Sequence, residues 1–260
     1  MRAGVKPPIL MIHGGFCGGW AFDEFAQPFR AAGHAVHLPD LPGHGATEPR
    51  DAAQGRSMAD YAAAVVEQAA GLPSPPILLG HSMGGLVGLM AAAKTPVAGV
   101  ILLAPSAPWG VGGSSMEEAV SAVSLYALGP YWAQAIEPDY VSFRRYGVDR
   151  MEKEERHAIF AKMRFESGRA LFETLNWWLD PFMTTMVRSE DIKSPIFAVT
   201  GGHDVIHPPA TVRETAKRIG ATIQVMPEMS HWLIGEPGWR DVADLCLGWL
   251  ADAKAPMAAE

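Results

Sequence analysis

The stretch ILLGHSMGGL, residues 77–86, decides the fold, because it passes from an apolar run through Gly-x-Ser-x-Gly into a helix-forming pattern. A serine inside a buried strand would leave a hydroxyl to satisfy, whereas a serine on a sharp turn just past the strand is presented to something else. Such a turn brings neighbouring chain close, so the positions two before and two after the serine must be small, and Gly80 and Gly84 meet that demand. A glycine-rich turn with a helix-capping serine has the same letters, so the rest of the chain must choose between the two.

Working outward, short runs of aliphatic residues alternate with longer helical patterns. The runs are Ile9 to Ile12, Ala35 to Leu38, Ile77 to Leu79, Val100 to Leu103, Ile196 to Val199 and Thr222 to Val225. Each is almost wholly apolar rather than alternating, as parallel strands covered on both faces require. Helical patterns at about 21–32, 57–71, 83–94, 208–219 and 238–252 lie between them. This alternation predicts an α/β fold with a doubly wound, mostly parallel sheet of about six strands and helices on both faces.

One interval breaks the rhythm. Residues 106–190 contain no convincing strand, and Ile159, Phe160, Met163, Leu171, Leu175, Trp178 and Leu179 recur there at near-helical spacing. The expected organisation is therefore a core of residues 1–105 and 191–260 with a helical cap, 106–190, that walls a substrate cavity. The last residues, ADAKAPMAAE, are expected to form a frayed tail.

Composition narrows the function. The 260 residues are 48% hydrophobic and 19% charged, an ordinary globular balance with enough chain for a large core. A net charge of −7 without a Lys/Arg cluster argues against nucleic acid or an anionic membrane, and for a neutral small molecule. Cys17 and Cys246 are too few for a disulfide framework, no Cys/His spacing suggests a metal site, and both are expected to be free thiols. The apolar run near the N-terminus is only four residues long, which predicts neither a secretion signal nor a membrane span, and a cytoplasmic protein.

An alcohol is a poor nucleophile unless a base sits within hydrogen-bond reach and an acid orients that base. On a parallel sheet such partners belong at the C-terminal ends of later strands. TGGHDVIHPP, residues 200–209, supplies Asp204 after one late strand, and MPEMSHWL, residues 226–233, supplies His231 after the next. Singly, each is an unremarkable loop residue; together they give the chain order Ser, Asp, His. His203 and His207 flank the acid and Glu228 lies near the base, but only His231 follows the acid at the next strand; His207 is read as a loop-shaping residue and Glu228 as a solvated charge. For the oxyanion, the backbone NH of Met83 at a helix start pairs with one from HGGF, residues 13–16; Gly15 is favoured and Phe16 second, with His13 holding the loop by hydrogen bonds. Phe16, His81, Trp109, Trp132, Trp178 and Trp232 are the candidate substrate contacts, with one or two of the tryptophans expected to face a ligand.

Taken together, HGG near the start, DLPGHG at 40–45, GHSMGG at 80–85, GGHDVIHPP at 201–209 and SHW at 230–232 resemble the α/β-hydrolase family, of the serine carboxylesterase type. The build is most similar to the branch of plant methylesterases and hydroxynitrile lyases and to bacterial esterases of like build, with the family's leading hairpin missing. The resemblance implies a cap after the sixth family strand, a serine acyl-enzyme and no metal or organic cofactor. Hydroxynitrile lyases of that branch carry lysine directly after the catalytic histidine, where this chain has Trp232. Aspartate-nucleophile members are excluded by Ser82. The expected reaction is hydrolysis of small to medium, mainly apolar carboxylic esters or lactones by a monomer or homodimer. Two other readings stay open: a carbon-carbon hydrolase of ring-fission products, which would need cations such as Arg144, Arg145, Arg164 or Arg169 in the pocket, and a non-enzymatic small-molecule receptor.

Overall fold

The computed structural model describes residues 6–252, so the expected tail lies outside the described residues from 253 onward. The chain runs β1 (Ile9–Ile12), a 3-10 turn (Gly19–Phe22), α1 (Ala26–Ala31), β2 (Val36–His37), α2 (Met58–Ala70), β3 (Ile77–His81), α3 (Met83–Ala92) and β4 (Gly99–Leu103). A long excursion follows, with α4 (Met116–Ser124), β5 (Ala135–Ile136), α5 (Tyr140–Ser142), α6 (Lys153–Lys162), β6 (Glu166–Ser167) and α7 (Gly168–Leu175). The chain then returns through β7 (Ile196–Gly201), α8 (Pro209–Ile219), β8 (Thr222–Met226) and α9 (Trp239–Asp252).

The main sheet has six strands in the order β2-β1-β3-β4-β7-β8, every pair parallel. β1, β3, β4 and β7 are buried along their whole length, which is why their sequences are continuous apolar runs. Alternate residues feed two cores. Ile9, Met11, Leu79, Leu103 and Val199 pack with Phe25, Phe29 and Leu250 on the α1/α9 face. Leu10, Ile12, Leu78, Leu102 and Ala198 pack with Tyr61, Val65, Leu86 and Val212 on the α2/α3/α8 face. The chain passes from β1 to β2 on one side and then to β3 on the other, so the crevice of the doubly wound sheet opens between the loops that follow β1 and β3.

Three local differences from the sequence reading have physical causes. The helix expected over 21–32 is a 3-10 turn followed by the six-residue α1, because Pro28 has no NH to bond residue 24 and is tolerated only in a first turn. The near-helical run through 159–179 is interrupted: α6 ends at Lys162, and α7 begins only at Gly168 behind the N-cap Ser167, whose hydroxyl accepts from Ala170 NH. Gly168 marks the break, since a Cβ there would lie 1.8 Å from the Tyr131 carbonyl oxygen. The residues between form β6, which pairs antiparallel with β5, so the excursion contains a two-stranded ladder where none was expected.

Candidate active site

The site begins with the turn between β3 and α3. A Cβ on Gly80 would meet the Gly84 carbonyl oxygen at 2.3 Å, and one on Gly84 would meet the Ile12 oxygen at 2.2 Å, so both positions are closed to any side chain. Between them Ser82 has φ of 54° and ψ of −125°, a conformation that L residues rarely adopt. It is pinned there: its NH donates to the Leu103 carbonyl at 2.9 Å, and its carbonyl accepts from Gly85 and Ser106 at 2.9 and 3.0 Å.

Asp204 sits beyond the end of β7, and His231 beyond the end of β8. The Ser82 hydroxyl donates to His231 Nε2 at 3.1 Å, and His231 Nδ1–H donates to Asp204 Oδ2 at 2.9 Å. The other carboxylate oxygen of Asp204 accepts the main-chain NH groups of Ile206 and His207 at 2.8 and 2.9 Å. Burial works against the Asp204 charge, but the imidazole of His231, its hydrogen bond and the His207 side outweigh it and hold the carboxyl below its ordinary value. Ser82 meets the other two groups although more than a hundred residues of chain separate it from either.

Two further histidines fix the surrounding loops. His13 donates from Nδ1 to the Gly14 carbonyl and accepts the Leu41 NH at Nε2, both at 2.9 Å, which ties the loop after β1 to the loop after β2. His81 donates from Nε2 to the His231 carbonyl at 2.9 Å and so holds the loop that carries the imidazole. Burial, with a neighbouring histidine assisting in each case, lowers both rings to about 3, so both are neutral. The His231 loop has another tie, the Ser230 NH donating to Glu236 Oε1 at 2.7 Å.

Opposite Ser82 runs the loop after β1. A Cβ on Gly14 would lie 3.1 Å from Ser82 Cβ, so glycine there lets this main chain pass close to the serine, and Gly15 runs on beside Met83, where a Cβ would lie 3.8 Å from Sδ in ordinary contact. Met83 begins α3, where main-chain NH groups lack intrahelical partners. The Phe16 NH, the second donor considered for the oxyanion, instead donates to Glu166 Oε2 at 3.0 Å.

A cavity of about 220 Å³ opens over Ser82 and His231. Of the expected contacts, Phe16, His81 and Trp232 line it, together with Gly15 and Met83. Trp109, Trp132 and Trp178 do not. Trp109 packs edge-on against Trp177 with ring centroids 5.3 Å apart, and Trp178 borders an adjoining cavity of about 230 Å³. Trp132 packs edge-on against Tyr131 and tilted against Phe172 at a third depression on the excursion. Helical spacing could not tell those faces apart. Met163, Leu171 and Leu175 of the expected cap also line it, and walls that the sequence did not single out include Phe143, Ile206 and Ser106, the last lying just past the end of β4, where position alone could have flagged it. Ser106 Oγ lies 3.0 Å from His207 Nε2, so His207 reaches the cavity. Glu228 is exposed, as its solvated reading expected.

The sequence model of the alpha/beta hydrolase family matches residues 9–245. The chain belongs to that family. Among curated members, it is 36% identical over 93 residues to a pimeloyl-[acyl-carrier protein] methyl ester esterase of Chromobacterium violaceum, a match covering 36% of this chain and 34% of that protein. The match thus spans about a third of that relative's length. A magnesium-chelatase 30 kDa subunit of Rhodobacter capsulatus is 26% identical over 94% of this hydrolase-family chain and 87% of its own. Among solved structures, a methylesterase from Arabidopsis superposes with a TM-score of 0.74 at 17% identity, covering 95% of this chain and all of that one, which is a likeness of fold. Among the described residues, no group of three His, Cys, Asp or Glu side chains is arranged to hold a metal ion, and no helix is long and apolar enough to cross a membrane.

Proposed function

We propose that this α/β-hydrolase is a carboxylesterase-type serine hydrolase acting on small to medium, mainly apolar esters through an acyl-enzyme on Ser82. The observation that carries the reading is His231, which bridges Ser82 at 3.1 Å and Asp204 at 2.9 Å. His231 takes the Ser82 proton as Ser82 attacks the ester carbonyl, and then gives that proton to the departing alcohol. Water repeats the sequence on the acyl-enzyme. Asp204 orients the imidazole and stabilises its charged form.

The developing oxyanion is received by the NH groups of Met83 and Gly15. Phe16 is not the second donor, because its NH is committed to Glu166. Residues 106–190 act as the cap, contributing Phe143, Met163, Leu171 and Leu175 to the cavity wall. Such walls favour apolar acyl and alkyl groups, and a cavity of about 220 Å³ limits their length. Two relatives' names, a methyl ester esterase and a methylesterase, agree with ester chemistry.

The carbon-carbon hydrolase reading has less support, since none of the described residues lining this cavity is Arg or Lys. Arg144 and Arg145 are exposed, Arg164 reaches the Glu48 carbonyl, and Arg169 pairs with Glu173. The test is a panel of p-nitrophenyl esters from acetate to palmitate, run beside labelling with a fluorophosphonate probe. We expect turnover with a short-chain optimum, and labelling that Ser82→Ala abolishes. Labelling that survives Ser82→Ala would overturn the assignment, and absence of turnover across the panel would favour a receptor.

A further inference from the structure

Behind the Gly14–Cys17 loop lies a buried carboxylate that the proposed acyl transfer does not use. Glu166, on β6 in the middle of the excursion, is completely buried. One oxygen accepts the Tyr61 hydroxyl at 2.6 Å and the Ser167 NH at 2.7 Å. The other accepts the Phe16 NH at 3.0 Å and His44 Nε2–H at 3.1 Å. Four donors from four different segments of chain therefore converge on one side chain. Burial opposes its ionisation, but His44, Tyr61 and the Phe16 NH overcome that and hold the carboxyl below its ordinary value, while Glu166 in turn raises His44 against the effect of burial.

Phe16 is the recipient that matters. It has φ of 64°, a left-handed conformation costly for a bulky residue, inside a turn closed by the Cys17 NH donating to the Gly14 carbonyl at 3.3 Å. Both of its main-chain polar groups are held by the excursion: its NH by Glu166, and its carbonyl by the Arg164 NH at 2.9 Å. Gly15 precedes Phe16 directly, and a Cβ on it would lie 3.5 Å from Glu166 Oε2. Holding Phe16 at positive φ fixes the Gly15–Phe16 peptide plane, and with it the path of Gly15 past Met83.

We propose that Glu166, paired with His44, is a positioning residue that acts through Phe16 to set the Gly15 NH for the oxyanion. The inference rests on the esterase reading above. It gives His44 a purpose as well. An uncompensated carboxylate so close to Gly15 would repel the charge forming on the substrate, and the His44 Nε2–H aimed at the same oxygen at 3.1 Å offsets that field. In Glu166→Gln an NH2 replaces one of the two acceptor oxygens among four converging donors, so the side chain must shift and its hold on the Phe16 NH loosens.

The experiment compares the purified full-length protein with Glu166→Gln and with Glu173→Gln on p-nitrophenyl butyrate. Glu173 is the control because it is another cap carboxylate bonded to the core, accepting the Met58 NH at 2.7 Å, but it has no tie to Phe16. Glu166→Gln is expected to lower kcat roughly tenfold to a hundredfold, part of the cost of deleting an oxyanion donor, with KM within about twofold. Affinity for a trifluoromethyl ketone, whose serine adduct carries an oxyanion, should fall in parallel. Glu173→Gln should keep both constants. A wild-type kcat in Glu166→Gln, or an equal loss in Glu173→Gln, would overturn the proposal. Should Glu166→Gln fail to fold, His44→Gln puts the same question: kcat should fall at constant KM, and an unchanged kcat sinks the idea. If the unaltered protein has no esterase activity, or Ser82→Ala retains it, the parent reading falls and takes this inference with it; a wild-type kcat in Glu166→Gln overturns this inference alone and leaves the parent standing.

Discussion

Replacing Asp204 with Asn should silence the site while leaving its shape intact, and the structure fixes why. Oδ1 of Asp204 already accepts two main-chain NH groups, from Ile206 and His207, at 2.8 and 2.9 Å. Those donors belong to the backbone and cannot be reversed, so an asparagine must turn its carbonyl oxygen toward them. Its NH2 then takes the place of Oδ2 and donates to His231 Nδ1, which must give up its hydrogen. The imidazole proton moves to Nε2, where it faces Ser82 Oγ at 3.1 Å and the base can no longer accept. A triad whose acid is replaced by its amide loses about 10⁴-fold in kcat. That corresponds to about 5.5 kcal/mol of transition-state stabilisation. The assay is steady-state hydrolysis of p-nitrophenyl butyrate at pH 7.5, with circular dichroism to verify the fold and KM to verify binding. A folded Asp204→Asn enzyme with kcat within tenfold of the unaltered protein would refute the tautomer argument and Asp204 as the orienting acid.

Other outcomes follow from single features. Ser82→Gly removes the side chain that makes φ of 54° costly, so it should abolish turnover while raising stability by about 1 kcal/mol in urea denaturation; a less stable variant would mean that the turn stores no strain. Glu236 is buried, and burial above all lifts its carboxyl to about 7 from an ordinary 4.5. A carboxyl raised on folding costs stability as pH rises through the interval between those values, so the melting temperature should decline from pH 4.5 to above 7 relative to Glu236→Gln, whose amide can still accept the Ser230 NH. A constant difference in melting temperature across that range would refute the assignment of the raised carboxyl.

The parts of the site that could be read in advance were those fixed by short-range chemistry. Gly80 and Gly84 announce the turn around Ser82 because a Cβ at either would lie 2.3 or 2.2 Å from a main-chain oxygen, which leaves only glycine available. Asp204 and His231 were legible because a parallel sheet delivers the ends of successive strands to one edge. Strands β1, β3, β4 and β7 were legible because burial on both faces demands unbroken apolar runs. Glu166 was not legible. It sits within a charged stretch that reads as a helix surface, and its partners Tyr61, His44 and Phe16 come from segments more than a hundred residues away. Trp132 and Trp178 show the same limit: hydrophobic periodicity says that an aromatic is on a face, and only the assembled excursion says which face meets the cavity. The break at Gly168 depended likewise on a carbonyl from Tyr131, far back along the chain.

The double hold on Phe16 gives the cavity a handedness. One rim is tied to the excursion through both main-chain polar groups of Phe16, at 2.9 and 3.0 Å, so it cannot swing aside without breaking the turn proposed to present the Gly15 NH. The opposite rim, around Thr174, Leu175 and His207, is shared with the neighbouring hollow. Under the esterase reading, reactant and product are expected to pass on that side, and remodelling for bulkier guests should widen the doorway there while leaving the stitched margin alone.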